Sequence, residues 1–141
     1  MRLLMLHVDH FACRVTEKGR SPVVEPADPP ETTVGEALVV LAAAEKGDET
    51  DTARVAERAA DAVAGQAARV RATTVVLHPF AHLFADLAPP AVAVEILKGA
   101  EARLAARGLT VRRTPFGWFN TLELRAKGHP LSRVARTVGA A

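Results

Sequence analysis

The stretch Thr73–Pro90, TTVVLHPFAHLFADLAPP, changes within a few residues from a β-branched apolar run to a turn rich in proline, phenylalanine and histidine. Its opening, Thr73–Leu77, predicts a buried strand. The turn Pro79–His82 then follows a strand end, where folds commonly carry binding and catalytic side chains. The two closing prolines predict the rigid first turn of a helix. We therefore expect a strand, a loop that contains His82 and a helix in succession.

A second segment, Thr114–Arg133 (TPFGWFNTLELRAKGHPLSR), repeats this design later in the chain. Leu109–Arg113 before it predicts a strand, and Thr121–Ala126 alternates between apolar and polar residues, as a strand with one wet face does. We expect a hairpin through Pro115–Gly117 to join these two strands.

Apolar runs towards the N-terminus predict three more strands. Arg2–Val8 and Phe11–Thr16 are expected to lie side by side after a turn near Asp9. Glu36–Ala44 is expected to be a buried strand. Between them, the proline-rich stretch Gly19–Thr33 is expected to be a loop, because proline lacks the backbone donor that regular structure uses.

Three helices complete the expected order of elements. They run from a cap at Thr50 or Asp51 to about Val70, from Pro89 to about Arg107 with a stop at Gly108, and from Pro130 or Leu131 onwards. The resulting order is strand, strand, strand, helix, strand, helix, strand, strand, helix. It predicts an α/β or α+β fold in which helices pack on a central β-sheet.

The length of 141 residues is enough for one sizeable core, and we expect a single domain over residues 1–141. The formal net charge is only +2. Basic residues concentrate in the final third, whereas acidic residues dominate between Glu17 and Asp61. This asymmetry has two interpretations: a phosphate-facing surface, or helical faces that are simply solvated.

The single cysteine, Cys13, excludes an internal disulfide framework and favours a reducing compartment. The first residues lack the long apolar run of a signal peptide or membrane span, and we expect a cytoplasmic protein without a membrane partner. Because Phe11–Thr16 alternates like a strand, Cys13 is expected to be a small buried thiol and not a nucleophile.

Histidines are the main candidates for chemistry. His7 and Asp9 on one strand face suggest a metal site, but no other residues complete a metal signature, and we predict no metal. His78 precedes Pro79 and is expected to act as a structural donor. His82 ends the turn and is the stronger active-site candidate; the alternative is a hydrogen bond that locks the loop.

His129 lies between Lys127-Gly128 and the expected third helix. A helix N-terminus attracts anions, so Lys127 and His129 are candidates for contact with a phosphate. A turn formed for geometric reasons is the alternative. Arg133 is a further candidate for such a contact and is expected at the surface.

Phe116, Trp118 and Phe119 cluster in a chain with few aromatic residues. They could fill the core or stack on a nucleobase. Their clustering favours a binding wall.

The two segments also resemble a known family. PFAHL followed by LAPPAVAVEIL, and PFGW followed by KGHPLSRVART, are similar to the archaeal threonyl-tRNA synthetase editing domain. The opening Leu3–His10 and the middle Glu36–Lys46 fit the same family. The resemblance implies a D-aminoacyl-tRNA deacylase-like fold, usually a homodimer. It also implies hydrolysis of L-seryl-tRNA(Thr). Such editing is needed because serine lacks only one methyl of threonine, so the synthetic pocket discriminates against it by only about 1–3 kcal/mol.

The resemblance further implies the residues of the site. The terminal adenosine and the aminoacyl group would lie among the Ala44-Glu45 strand end, the turn and the Pro115–Asn120 segment. The residues so implied are Ala44, Glu45, Pro79, Phe80, Ala81, Phe116, Gly117 and Phe119 around the substrate, with His82 and Asn120 at the reacting ester. A ribose hydroxyl of the tRNA would assist the attacking water, and no cofactor is required.

The chain departs from the family at one position in this site. Members commonly carry Tyr-Lys where this sequence has Phe119-Asn120. An amide donates only neutral hydrogen bonds, so Asn120 gives an oxyanion less electrostatic help than lysine would. Either the lysine is dispensable, or activity is reduced. If chemistry assisted by the substrate provides the rate, Asn120 should suffice; if it does not, the chain is expected to be a degenerate domain that retains tRNA binding.

The implied partners are the aminoacylated 3′ end of tRNA(Thr), a second copy of the chain, and the catalytic part of threonyl-tRNA synthetase in cis or in trans. Lys127, His129 and Arg133 become possible tRNA contacts. Two alternatives to serine proofreading stay open: a D-aminoacyl-tRNA deacylase of the same fold, and a non-catalytic tRNA-binding module.

Overall fold

A computed structural model describes all 141 residues of the chain. It contains seven strands and two α-helices, which are β1 (Arg2–Lys18), β2 (Glu31–Val34), β3 (Ala37–Ala43), α1 (Thr52–Val70), β4 (Thr74–Pro79), α2 (Pro90–Ala106), β5 (Thr110–Arg113), β6 (Trp118–Ala126) and β7 (Arg133–Thr137). Two short 3₁₀ turns, Lys46–Thr50 and Ala81–Leu83, follow β3 and β4. The expected mixture of strands and helices is confirmed.

The strands form one sheet in the order β2-β1-β3-β4-β5, and β6 and β7 also pair with β1. The pairs β3–β4 and β4–β5 are parallel, whereas all partners of β1 are antiparallel to it. Parallel neighbouring strands require a crossover connection. Helix α1 provides it between β3 and β4, and α2 provides it between β4 and β5. The ends of β3, β4 and β5 therefore meet at one edge.

Strand β1 is continuous over 17 residues, so the prediction of two strands separated by a turn near Asp9 is wrong. Its first half pairs with β3 and β7, and its second half pairs with β2 and β6. The register with β6 shifts between Val8 and His10. A bulge adds one residue and reverses the alternation, so Val8 and Phe11 both join the same buried cluster. The sequence pattern detected this break but not its cause.

The first two expected helices are confirmed, with bounds set by the residues that predicted them. The Asp51 carboxylate accepts a hydrogen bond from the Arg54 backbone and caps α1. Pro90 occupies the first turn of α2, and Gly108 follows its end with a φ of 88°. Neither helix combines the length and the apolar composition that crossing a bilayer would require.

Apolar clusters lie on both faces of the sheet. The larger cluster, of 22 buried residues, fills the space between the sheet and the two helices. The smaller cluster comes from strands alone and consists of Val8, Phe11, Cys13, Ala37, Val39, Leu41 and Val76. Cys13 is buried as expected, and burial raises the pKa of its thiol. The helices therefore cover one face only.

Two predictions about connections are wrong. The expected loop ends earlier than Thr33, because the β-branched residues after the last proline form β2 against β1. Strands β5 and β6 do not form a hairpin: β5 pairs with β4, and β6 pairs with β1. The segment Pro115–Gly117 is thus a crossover between two parts of the sheet. Alternation along a strand identifies the strand but not its partner.

The predicted third helix is also wrong, because Arg133–Thr137 forms β7 on the first half of β1. That stretch contains β-branched residues, and it covers an edge of β1 that β6 does not reach. His129 therefore lies in a turn, closed by a hydrogen bond of 3.0 Å from the Ser132 backbone N–H to the His129 carbonyl, and not at a helix N-terminus.

Candidate active site

The two sequence islands meet because β4 and β5 are parallel neighbours. Leu77 is paired with Arg113, so the His78–His82 and Thr114–Trp118 stretches leave the sheet side by side. The Thr114 backbone N–H donates to the Leu77 carbonyl at 3.1 Å. On the other side of β4, Ala42 is paired with Pro79. Three strand ends therefore surround one space.

That space is a cavity of about 520 Å³. Nine of the residues implied by the family resemblance line it: Ala44, Pro79, Phe80, Ala81, His82, Phe116, Gly117, Phe119 and Asn120. Its walls are mainly apolar, with few polar groups, which is the usual composition of a small-molecule site.

Glu45 borders this cavity without lining it. Its carboxylate accepts a hydrogen bond of 3.0 Å from Arg2, and its backbone forms an isolated bridge with Leu87, which lines the cavity. The Glu45 backbone N–H donates to Asp48 at 2.8 Å. Glu45 is therefore fixed at the rim.

Lys127, His129 and Arg133 lie away from the cavity. Arg133 is paired with Leu6, and the Lys127 backbone N–H donates to the His7 carbonyl at 2.8 Å. His7 is opposite Leu38 near the start of β3, whereas the cavity lies at the end of β3. The structure does not bring these three residues together with His82.

His82 lies in the 3₁₀ turn after β4, where its side chain is exposed. Its ring packs edge-on against Phe80, with 5.1 Å between the ring centroids. The imidazole has no hydrogen bond with the protein, so the alternative of a loop-locking hydrogen bond is wrong for this structure. Both ring nitrogens are free to contact a substrate or water.

His78 is the second imidazole in the lining of the cavity, and it is 2% exposed. Its Nδ1 lies 2.8 Å from the Thr114 hydroxyl. Burial disfavours the charged ring and lowers the pKa of His78 from 6.5 to about 4. The ring is therefore neutral near pH 7, and the bond to Thr114 joins the end of β4 to the end of β5.

The opposite wall of the cavity is held by Glu25, which lies in the proline-rich loop. Its carboxylate accepts hydrogen bonds from the Phe116 backbone at 3.1 Å and from Arg113. Its backbone carbonyl accepts from the Trp118 indole at 2.8 Å. Burial opposes the charge of Arg113, but hydrogen bonds to Glu25 and Glu101 outweigh it and raise the guanidinium pKa.

Gly117 permits a close approach within this wall. Its φ is 93°, and a Cβ at this position would lie 2.7 Å from the Val23 carbonyl oxygen. The Gly19 backbone N–H donates to the Gly117 carbonyl at 2.8 Å. Only glycine adopts this conformation here without strain or collision.

The last part of the wall presents the polar and aromatic groups to the cavity. Phe119 is 57% exposed, which leaves its ring available for stacking. The Asn120 amide makes one long contact, 3.4 Å to the Trp118 carbonyl. Its polar atoms therefore retain bonding capacity for a substrate or a water.

Sequence reasoning missed Glu25 and Thr114. Glu25 lies 88 residues before the arginine that it binds, and no local pattern indicates such a pair. A signal for Thr114 did exist: it precedes Pro115-Phe116 as His78 precedes Pro79-Phe80, and two matching strand ends suggest neighbouring positions.

A second polar cluster lies near the other end of β3. His7 is buried, and its Nδ1 is 2.8 Å from Nε2 of His129. Its Nε2 is 3.4 Å from Glu36 but lacks the geometry of a hydrogen bond. Lys127 lies 2.6 Å from Asp9 and 3.2 Å from Glu36. Burial lowers the pKa of His7, although Glu36 opposes the shift.

Comparison with known proteins assigns this sequence to a family. Residues 1–138 match the family described as the archaea-specific editing domain of threonyl-tRNA synthetase. The chain belongs to this family. A threonine–tRNA ligase of Methanopyrus kandleri is 43% identical over 138 residues, and one of Methanobrevibacter smithii is 40% identical over 142 residues. These matches cover 98% and 99% of the chain but only 22% and 23% of the two ligases.

The editing-domain fold also has a solved structural neighbour. The protein named c-Myc DNA Unwinding Element Binding Protein superposes with a TM-score of 0.68, covering 99% of this chain and 100% of its own. The sequences are 11% identical, so this likeness concerns the fold alone. It confirms the expected D-aminoacyl-tRNA deacylase-like α/β fold.

Proposed function

We propose that residues 1–141 form a single editing domain that hydrolyses the ester of L-seryl-tRNA(Thr) to serine and free tRNA. The main support is the convergence of three strand ends, with His82 and Asn120, on one cavity in a member of the threonyl-tRNA synthetase editing family. Serine that the synthetic pocket attaches to tRNA(Thr) must be removed at a second site, because the absence of one methyl group excludes serine too weakly.

In this proposal the terminal adenosine binds at the rim and the ester lies deeper. Phe119 and Phe116 stack against the base, and Glu45 contacts the adenosine from the opposite side. Main-chain groups near Ala81 hold the aminoacyl group. The exposed ring of Phe119 and the apolar lining support this orientation, because a nucleobase has an apolar face.

The chemical step is direct attack of water on the ester carbonyl. His82 positions the water, and the Asn120 amide donates to the oxygen that gains negative charge. A ribose hydroxyl of the tRNA assists the water. The new bond joins the water oxygen to the carbonyl carbon, and the broken bond releases the ribose oxygen with a proton.

The absence of an activated nucleophile supports this route. The Ser21 hydroxyl, which lines the cavity, donates to the Val23 carbonyl at 2.8 Å and has no histidine base. Cys13 is buried outside the cavity lining, and its raised thiol pKa disfavours the reactive thiolate. Neither a covalent intermediate nor a cofactor is needed for hydrolysis of an activated ester.

The proposed partners are the aminoacylated 3′ end of tRNA(Thr) and the catalytic part of threonyl-tRNA synthetase, in cis or in trans, in the cytoplasm. Lys127, His129 and Arg133 lie outside the cavity and are proposed as contacts with a more distant part of the tRNA. We also propose a homodimer. Its support is the sheet face that no helix covers, where Leu4, Leu6 and Leu124 remain partly exposed.

A non-catalytic tRNA-binding module is the second candidate. Asn120 favours it, because the family commonly carries a lysine there and an amide provides no full charge. Such a module would bind seryl-tRNA(Thr) and deacylated tRNA without turnover.

Replacing His82 with alanine distinguishes the two candidates. The variant is expected to lose at least about tenfold in the single-turnover rate constant for seryl-tRNA(Thr), because positioned acid–base groups commonly contribute 10²–10⁴-fold. Its affinity for deacylated tRNA(Thr) should change less than about threefold, because the exposed ring makes no hydrogen bond to the wall and only one edge-on contact, with Phe80. A change in affinity alone, with no hydrolysis by either protein, would favour the binding module.

A further inference from the structure

His78 has features that its bond to Thr114 does not explain. The bond engages Nδ1 only, and Nε2 has no hydrogen-bond partner in the protein. The one fully buried side-chain polar atom that lacks a partner is His7 Nε2, so the unpartnered Nε2 of His78 is not fully buried. Since His78 lines the cavity, its Nε2 retains access to the cavity.

The orientation of this ring is fixed on three sides. Phe11 packs edge-on against it with ring centroids 5.8 Å apart, and Phe80 lies at 6.4 Å. Thr114 holds Nδ1 at 2.8 Å. A ring held in this way presents Nε2 in one direction, at little entropic cost when a ligand binds.

We propose that His78 is a specificity-determining residue whose Nε2 forms a hydrogen bond with an aliphatic hydroxyl of the bound ester, while Thr114 holds the ring in place. A hydroxyl both donates and accepts, so it can pair with either tautomer of a neutral imidazole. The terminal nucleoside carries such a group on its ribose, and the seryl side chain carries another. The inference rests on the proposed function, because it takes the ligand to be an aminoacyl adenosine.

The neutral state of the ring suits this role. Protonation of His78 is disfavoured by burial, and its pKa of about 4 keeps the ring uncharged under neutral conditions. A neutral donor or acceptor discriminates by the presence of a hydroxyl and not by charge. Loss of the ligand hydroxyl would leave a polar atom unpaired in a largely apolar cavity, which is costly.

Two substitutions distinguish the roles of the two ring nitrogens of His78. His78→Asn places an amide near the position of Nδ1 and keeps a partner for Thr114, but removes Nε2. His78→Gln reaches the position of Nε2 and keeps the contact with the ligand. The pair is matched in chemistry, and Thr114→Val tests the support of the ring.

The experiment measures binding by calorimetry with three non-hydrolysable amides: L-seryl and L-alanyl amides of 3′-amino-3′-deoxyadenosine, and the 2′-deoxy form of the seryl compound. The wild-type chain is expected to prefer the seryl compound over the one that lacks the contacted hydroxyl by about tenfold. His78→Asn should abolish that preference, and His78→Gln should retain it within about threefold. Thr114→Val should weaken it. The compound that shows the effect identifies the hydroxyl as seryl or ribose.

An equal loss of affinity for all three compounds in His78→Asn, or no loss, would overturn the inference, because a purely structural role does not distinguish hydroxyls. Thermal unfolding of each variant identifies any general loss of folding. Wild-type protein that binds none of the compounds would overturn the proposed function and the inference with it. Selective binding by the wild type that survives in His78→Asn would refute the inference alone.

Discussion

Asn120 is the residue of the cavity wall on which the proposed chemistry depends most at the scale of a single side chain. Its amide has one contact, at 3.4 Å, with the Trp118 carbonyl. The side chain therefore has little that fixes it until a substrate binds. In our proposal it offers a neutral donor to the oxygen that gains negative charge, where the family resemblance implies a cation.

We expect Asn120→Lys to raise the single-turnover rate constant on seryl-tRNA(Thr) by about tenfold, because charge-assisted hydrogen bonds are roughly twice as strong as neutral ones. Rapid-quench measurement of ester loss provides the test. Asn120→Gln, which keeps the amide, is the control and should not accelerate the reaction. An unchanged rate in the lysine variant would mean that the charge is dispensable.

His78 makes a pH-dependent contribution to stability. Its pKa is 6.5 in the unfolded chain and about 4 in the folded protein, so the unfolded state binds more protons between these values. The free energy of unfolding should therefore fall by about 3 kcal/mol as the pH decreases through this window. Above about pH 7 the contribution of this group should be constant.

Urea denaturation of the wild type and of His78→Gln, at several pH values from about pH 7 to about pH 4, measures this contribution. Other groups also titrate in this range, and the difference between the two proteins removes their effect. The wild type should lose more stability than the variant on acidification. Parallel pH profiles would contradict the assignment of a buried neutral ring.

At the scale of elements, Gly117 determines how the crossover from β5 to β6 packs on the proline-rich loop. Gly117→Ala is expected to destabilise the protein by more than about 2 kcal/mol, because it combines a positive φ with a close contact to backbone. Substrate affinity should fall as well, since the same residue lines the cavity.

Gly108→Ala is the matched control for this prediction. Gly108 also has a positive φ, of 88°, but a Cβ there would meet no atom within 4 Å. Gly108→Ala should lower the free energy of unfolding by only about 1 kcal/mol, because of backbone strain. Denaturant unfolding with a binding assay compares the two. Equal effects of both substitutions would show that contact with Val23 contributes nothing.

The elements that sequence predicted best are those whose signals are local. Asp51 and Gly108 delimit the helices by chemistry that acts within one turn of chain. The wrong predictions concern partners. A β-bulge has the same sequence pattern as a turn, because both interrupt alternation. The sequence around Arg133–Thr137 does not indicate a strand, because the edge that β7 covers belongs to β1, more than a hundred residues earlier.

The same distinction applies to the site. Pro79, Phe80 and His82 are conspicuous in sequence, and the parallel register of β4 and β5 explains why they face Phe116. Glu25 is inconspicuous, because its role depends on Arg113 and Trp118 from the other half of the chain. Positions that hold a site through distant contacts leave no periodic signal.

At the level of the whole molecule, two parts of one sheet build different sides of the cavity. Its parallel half brings the ends of three strands to one cavity, and its antiparallel half, built on β1, supports the wall from Trp118 to Asn120. The helices cover one face only, which leaves the other to the proposed partner copy. The matched segment spans 22% of the threonine–tRNA ligase of Methanopyrus kandleri.

The proposed editing activity is tested by comparing ester loss from L-seryl-tRNA(Thr), L-threonyl-tRNA(Thr) and a D-aminoacyl-tRNA, each with and without the purified chain. We predict that the seryl ester is lost well above its spontaneous rate while the threonyl ester is spared. Loss of the D-aminoacyl ester alone would assign the chain to chirality checking. Loss of all three esters at their spontaneous rates would refute the proposed hydrolysis and favour a tRNA-binding module.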